Sequence, residues 1–455
     1  VFGKIQHIHF VGIGGIGMSG IAEVLANLGH RVSGSDLRES AVTQRLRGLG
    51  IEVHIGHRAE AIEGAQVVVI SSAVKGDNPE VVAAHARKVP VIPRGEMLAE
   101  LMRMKYGVAV AGSHGKTTTT SMVAQVLSHG SLDPTIVIGG KLGTIGSNAK
   151  LGKGPVLVAE ADESDGSFLM LNPTLATITN IDREHLDHYR DLEEIQEAFV
   201  AFANKVPFYG CVFLCMDDPS AAAVRPRLKR RVCTYGTHPQ VDIRAREIRQ
   251  EGFHTHFKVS ANGDDLGAFS LGVPGHHMVL NALAAIGIAL ELEVDRETIR
   301  TSLADFTGAD RRFQLRGEKD GVLVVDDYGH HPTEIAATLA AARAGFPDRR
   351  IVAAFQPHRY TRTKALLDEF GTAFFEADSV VVTDIYPAGE PPIQGVDGAA
   401  VVEALRAHGQ KEVHLAGRVE DLPDVLKRLT RSGDLLITFG AGSITQAGPA
   451  FLGLA

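Results

Sequence analysis

The densest chemistry in this 455-residue chain lies in Gly112-Ser113-His114-Gly115-Lys116-Thr117-Thr118-Thr119-Thr120. A loop of this composition turns successive backbone N–H groups toward one point, where they cradle phosphate oxygens. Lys116 is spaced to reach the terminal phosphates of a nucleoside triphosphate, and the Thr117 hydroxyl to ligate Mg²⁺ beside them. The general pattern requires glycine two residues before Gly112, where this chain has Val110. An acidic run, Glu160-Ala161-Asp162-Glu163-Ser164-Asp165, follows a short apolar stretch. Open α/β sheets place ligands at the carboxyl ends of their strands. Hard carboxylate oxygens there suit Mg²⁺ bridging phosphates. Glu160, nearest the strand, is the expected ligand, with some of the other acids forming a solvated loop. His185 sits in a comparable position within Asn180–Tyr189; among 20 histidines it draws its weight only from that context.

A second glycine loop, Gly12-Ile13-Gly14-Gly15-Ile16-Gly17, stands between an apolar run and a helical pattern. This arrangement lets the backbone approach a diphosphate at a helix N-terminus. Asp36, 19 residues after Gly17, falls where such folds contact a ribose. The geometry suits NAD or any other diphosphate nucleotide, and a plain tight turn is the bland alternative. Two such loops imply one nucleotide consumed and another carried as part of a substrate. An NAD-dependent oxidoreductase has no use for the Lys-Thr loop, and a simple ATPase none for the first.

Three blocks of alternating strand and helix must position these groups, predicting an α/β protein with mainly parallel, covered sheets. Expected strands include residues 5–11, 31–34 and 67–71; then 107–111, 156–159, 175–179, 212–214 and 233–235; then 322–325, 351–355, 379–383, 413–416 and 434–439. A long apolar helix is expected near 278–292 and a linker near 305–312. The expected domains are 1–105, 106–308 and 309–455. Hydrophobic residues at 44% and charged residues at 22% suit a soluble globular protein. A net charge of -8 argues against a general polyanion binder, so no nucleic-acid partner is expected. Three cysteines make no disulfide framework, and Cys211 and Cys215 read as core strand residues. No apolar run is long enough for a membrane span. No signal peptide precedes the first strand, so a cytoplasmic location is expected.

The opening His9–Gly20, the loop Gly112–Thr120, the acids Glu160–Asp165 and Asp326-Asp327-Tyr328-Gly329-His330-His331-Pro332 together resemble the Mur ligases, in order and over the whole chain. In that family the early P-loop glycine is absent, as here. The resemblance implies a Rossmann-like N-terminal domain holding a UDP-sugar, a P-loop-type central ATPase domain and a Rossmann-like C-terminal domain for the amino acid. Gly14, Gly15, Gly17, Asp36, Ser71, Ser72 and Asn148 would then serve the UDP-sugar rather than NAD. Residues 139–149 would form a mobile substrate loop. ATP would meet Gly112, Ser113, His114, Gly115, Lys116, Thr117, Thr118, His276, Asn281, Arg311 and Arg312. Thr117, Glu160 and His185 match the family's magnesium positions, with Lys116, Glu160 and His185 as the catalytic set. Two magnesium ions would offset the repulsion between a carboxylate and a triphosphate. Tyr328, His330, His358, Arg359 and Arg362 would meet the amino acid, the arginines by bidentate hydrogen bonds to its carboxylate.

Within the family the match is to the branch that joins L-alanine to UDP-N-acetylmuramate through an acyl phosphate. The helix expected near 192–203 has no lysine, so the carboxylated lysine of sibling branches is not expected. The alternatives are a tripeptide ligase acting on the same UDP-sugar, an NAD-dependent oxidoreductase, and a UDP-sugar sensor with a vestigial ATP site. A weak homodimer is compatible with this reading.

Overall fold

The computed structural model of the chain describes residues 5–71, 73–139, 148–185 and 188–454. The described residues form three sheets. The first comprises β1 (His7–Val11), β2 (Arg31–Asp36), β3 (Glu52–Ile55), β4 (Val67–Ile70) and β5 (Val91–Pro93), in the order β3-β2-β1-β4-β5. All its pairings are parallel. The order reverses beside β1, so a crevice opens where the loops after β1 and β4 diverge. The first glycine loop leaves β1 at that point.

The central strands are β6 (Tyr106–Ala111), β7 (Thr135–Val137), β8 (Ala149–Lys150), β9 (Val156–Glu160), β10 (Leu175–Ile178), β11 (Cys211–Cys215) and β12 (Val232–Gly236). They run in the order β12-β11-β10-β6-β9-β7-β8, and β13 (Ile243–Glu251), β14 (His254–Ala261) and β15 (Asp264–Leu271) carry the sheet outward from β12. Neighbours β10, β6 and β9 are mutually parallel, so the P-loop, the acidic run and the segment after β10 emerge from one edge. These strands are nearly continuous runs of Val, Ala, Leu and Ile because both faces are covered.

The third sheet holds β16 (Gln314–Lys319), β17 (Val322–Asp327), β18 (Ile351–Phe355), β19 (Ser379–Thr383), β20 (Val413–Gly417) and β21 (Leu435–Phe439), ordered β16-β17-β21-β18-β19-β20. Only β16 pairs antiparallel. Alternation along β17 sends Leu323 and Val325 into one core and Val322 and Val324 into the other. The helix Pro332–Gly345 that follows starts sharply, with His331 as its N-cap, a capping box closed by Glu334 and proline in the first turn.

By contact density the chain forms two compact units. One is Val1–Arg246 with Lys258–Ala268 and Leu280–Ala304; the other is Glu247–Phe257 with Phe269–Val279 and Asp305–Ala455. The expected apolar helix runs His276–Glu291, and the expected linker is irregular backbone between Ala304 and Gln314. Cys211 and Cys215 are buried strand residues, as expected. Among the described residues no helix is long and apolar enough to cross a membrane.

Candidate functional site

In the P-loop, β6 ends at Ala111 and the helix Lys116–His129 begins after Gly115. Gly112 and Gly115 take φ of +139° and +82°, conformations that side chains rarely adopt. A Cβ on Gly112 would lie 1.9 Å from Thr179 Oγ1, and one on Gly115 2.8 Å from Asn281 Oδ1. The loop is pinned from β10: Asn180 Oδ1 accepts from the His114 N–H at 2.8 Å, and Thr179 Oγ1 donates to the His114 carbonyl at 2.6 Å. The Asp182 N–H donates to Ser113 Oγ at 2.8 Å, and the His114 ring meets Asp182 Oδ2 at 2.9 Å. Asn281 is buried within its helix, beside Gly115.

The Lys116 ammonium donates to the Gly112 carbonyl at 2.7 Å and the Ser113 carbonyl at 3.1 Å. It also lies 2.8 Å from both Glu163 oxygens. Burial disfavours its charge, but Glu163, Asp162 and Glu184 outweigh that and hold its pKa above the ordinary lysine value. The His185 ring nitrogen Nε2 sits 3.3 Å from Glu163 and 3.8 Å from Glu184. Burial lowers the pKa of His185, and the Glu163 hydrogen bond with both carboxylate charges reverses that, leaving it raised. His185 is held at φ +55°, a strained position for a residue with a side chain.

One ligand atom each from Glu163, Glu184 and His185 falls within 4.8 Å of the others, a span a single cation can bridge. Glu160 sits at the end of β9, level with Val110, beside Thr117 and the Gly139 amide. Burial raises its pKa, opposed by those hydrogen bonds and by the Lys116 charge. Its Oε1 is buried with no hydrogen-bond partner among the described residues. A buried, unsatisfied carboxylate oxygen beside a P-loop threonine is a fit for a hard cation.

The structure brings Lys116, Thr117, Glu160 and His185, singled out from the sequence, to one sheet edge, and adds Glu163, Glu184, Asp182 and Asn180, which were not singled out. Their types were visible in the quoted motifs. Which acid of a run turns inward is a matter of loop path, for which the sequence carries no signal.

In the first sheet, the Gly12 and Ile13 amides donate to the Ser35 carbonyl at 2.8 and 2.9 Å, folding the glycine loop onto β2. Asp36 Oδ2 accepts from the Gly14 N–H at 2.8 Å, so this acid shapes the loop. A Cβ on Gly12 would meet Ser71 Oγ at 3.7 Å, which places Ser71 at the same crevice. Asn148 donates to Ser19 Oγ at 3.2 Å and accepts from Arg45 at 3.1 Å, against the helix Ile16–Asn27. Ser72 and residues 140–147 of the expected substrate loop lie outside the described residues.

In the second unit, the guanidinium groups of Arg311 and Arg312 lie 4.9 and 5.2 Å from the Tyr328 ring centre. Arg311 also pairs with the buried Asp326 and Arg312 with Glu334, each at 3.3 Å. His276 is exposed in the first turn of its helix. The His330 ring stands 6.0 Å from that of His358, which stacks on Tyr386 at 5.5 Å. Arg362 approaches His358 Nδ1 at 3.2 Å, and Arg359 pairs with Glu390 at 2.6 Å. Burial first, then His330 and both arginines, push His358 down to about 4, so its ring is neutral near pH 7.

Asp327 accepts from the Phe313 and Gly329 amides at 2.8 and 2.7 Å and is 2% exposed. Burial, only partly opposed by Arg312, raises it to about 6 from 3.8. A raised carboxylate favours folding below its unfolded pKa, and that contribution fades as pH climbs through 6. Lowering the pH from 7 to 5 should therefore add on the order of 1 kcal/mol of stability through this group. Urea unfolding of Asp327→Asn at both pH values is expected to lack that increment relative to the unsubstituted chain.

Three family models match the chain: "Mur ligase family, catalytic domain" over 7–106, "Mur ligase middle domain" over 110–289 and "Mur ligase, glutamate ligase domain" over 311–442. A UDP-N-acetylmuramate–L-alanine ligase of Geobacter sp. (strain M21) is 59% identical over 452 residues, covering 99% of this chain and 98% of its own. The enzyme of that name from Geobacter sulfurreducens is 58% identical over 453 residues, 99% of this chain and 98% of its own. The crystal structure of a UDP-N-acetylmuramate-alanine ligase from Thermotoga maritima superposes with a TM-score of 0.82 at 32% identity, over 98% of each chain. The chain belongs to the Mur ligase family and has its three-domain α/β fold.

Proposed function

We propose that the chain joins L-alanine to the carboxylate of UDP-N-acetylmuramate at the expense of ATP, releasing ADP and phosphate. The observation that carries this reading is the part-buried Lys116 ammonium of the P-loop paired with Glu163, which also holds His185, on the loops of the two neighbouring strands. Full-length relatives at 59% identity that bear the alanine-ligase name favour alanine over a tripeptide and over hydride transfer. The division at 1–105, 106–308 and 309–455 is part of the same reading, as are a cytoplasmic location and a weak homodimer.

The chemistry follows from the weakness of a carboxylate as an electrophile. Its oxygen attacks the γ-phosphorus of ATP, the bond to ADP breaks, and an acyl phosphate results. The alanine amine, having lost a proton, then adds to the acyl carbon. The tetrahedral intermediate collapses with phosphate as leaving group. Such transfers depend on positioning and charge stabilisation more than on covalent help from the protein. Lys116 is assigned to the transferring phosphoryl group; the loop of Gly112, Ser113, His114, Gly115, Thr117 and Thr118 is assigned to the chain of phosphates, with the Ser113 and His114 amides bonded to Asn180 and so holding the loop's shape. Mg²⁺ would be held by Thr117 and Glu160 and by His185 with Glu163 and Glu184, where it would neutralise phosphate charge. Gly14, Gly15, Gly17, Asp36, Ser71 and Asn148 are assigned to the UDP-sugar. Tyr328, His330, His358, Arg359 and Arg362 are assigned to alanine.

Phosphate release should require ATP, UDP-N-acetylmuramate and L-alanine together, with Mg²⁺ present. The UDP-sugar product should gain the mass of alanine less one water. Equal release with the UDP-sugar omitted, or an unchanged UDP-sugar mass, would remove this function.

A further inference from the structure

A glycine loop that holds a diphosphate carries concentrated negative charge, and backbone amides with a helix dipole offset it only in part. The central P-loop has Lys116 for this purpose. The first loop has nothing comparable in its own segment: between Lys4 and Arg31 the chain contains no lysine or arginine. Arg45, on the helix Ala41–Gly48, is committed to Glu23 and Asn148.

The basic side chain that reaches the loop comes from elsewhere. Arg94 opens the helix Arg94–Arg103 after β5. A Cβ on Gly17 would lie 2.4 Å from Arg94 Nη1 and 3.2 Å from its Cδ and Cζ. A side chain at the third glycine of the motif would therefore have to displace the Arg94 guanidinium. The other terminal nitrogen, Nη2, donates to Asp162 Oδ2 at 3.3 Å. That acid is 40% exposed in its side chain, and Arg94 24%. The pair is accessible to a ligand and lightly held, since ion pairs at this exposure contribute little.

We propose that Arg94 is the counter-ion of the UDP-sugar diphosphate in the first glycine loop, and that it exchanges Asp162 for that diphosphate when the sugar binds. The assignment rests on the UDP-sugar reading above. Arginine suits the role because its planar fork can bridge two phosphate oxygens. Asp162 is the competitor: its carboxylate holds Arg94 in the absence of substrate and is released toward the Lys116 cluster when substrate arrives. Binding at the first loop thereby changes the charge facing the triphosphate site.

The test uses the full chain without ATP, titrated with UDP and with uridine by ligand-observed NMR. Arg94→Ala is expected to weaken UDP roughly ten- to a hundred-fold, the range for losing hydrogen bonds to a charged group. Uridine, which lacks the diphosphate, should bind that variant as it binds the unsubstituted chain, which also shows that the site is folded. Arg94→Lys should fall between. Asp162→Asn should tighten UDP several-fold by removing the competitor, and Arg94→Ala/Asp162→Asn should show no gain over Arg94→Ala. A structural role for the pair predicts weakening by both single variants, and that result would overturn the proposal. So would UDP affinity unchanged in Arg94→Ala. No UDP binding by the unsubstituted chain would instead remove the UDP-sugar reading itself, and this assignment with it.

Discussion

Replacing Lys116 with methionine should lower the rate of phosphate release by about 10³-fold, the cost of removing one preorganised charge donor from a transferring group. Methionine keeps most of the lysine stem's volume, so the loop's path should persist. Thr179, Asn180 and the Ser113–Asp182 hydrogen bond still pin that path, although the variant loses the ammonium's bonds to the Gly112 and Ser113 carbonyls. Glu163 would keep His185 at 3.3 Å, whose charged form the site favours. Because Lys116 is assigned to charge that develops during transfer, the loss should fall mainly on kcat, with the KM for UDP-N-acetylmuramate little changed. Steady-state kinetics with each substrate varied reads this split. A variant within ten-fold of the unsubstituted rate would show that Lys116 does not face the transferring phosphoryl group.

Glu163→Ala should be the more damaging change to stability, destabilising the chain by about 3 kcal/mol or more. The Glu163 side chain is 1% exposed and that of Lys116 16%, so the pair is largely withdrawn from water. Removing the acid leaves the ammonium its hydrogen bonds to the Gly112 and Ser113 carbonyls and only the weaker pull of Asp162 and Glu184. An unpaired buried charge is costly because its lost hydration is no longer offset by a counter-charge. Adding Lys116→Met to Glu163→Ala should recover part of the loss, since the orphaned charge goes with it. The signature is a large coupling energy in the double-mutant cycle, read by urea unfolding at fixed pH. Additive effects would mean that water reaches Lys116 freely.

The two expectations differ because Lys116 and Glu163 occupy different levels of legibility. Lys116 was readable from a glycine-rich segment between an apolar run and a helical pattern: backbone conformation at Gly112 and Gly115 is a local property, and so is the reach of a lysine at the helix start. Glu160 was readable for the same reason, as the last residue of a strand. The parallel strands at the sheet centres were legible because burial on both faces demands unbroken apolar runs. The strands β13, β14, β15 and β16 were not anticipated. They interleave charged and apolar residues, as in Ile243-Arg244-Ala245-Arg246, and only one face is covered, so their pattern is close to that of a polar loop.

What the chain's own order of residues determined, then, is where each loop begins and what groups it carries, because strand runs, glycine turns and helix starts are decided by neighbours in sequence. The tertiary structure alone decided which of those groups meet. Glu163 rather than another acid of its run faces Lys116, Asp36 closes on the Gly14 amide, and Arg94 crosses Gly17 from a helix some eighty residues away. Such meetings depend on strand order and on the side to which a loop falls. Those are set by packing of distant segments, which no local pattern encodes.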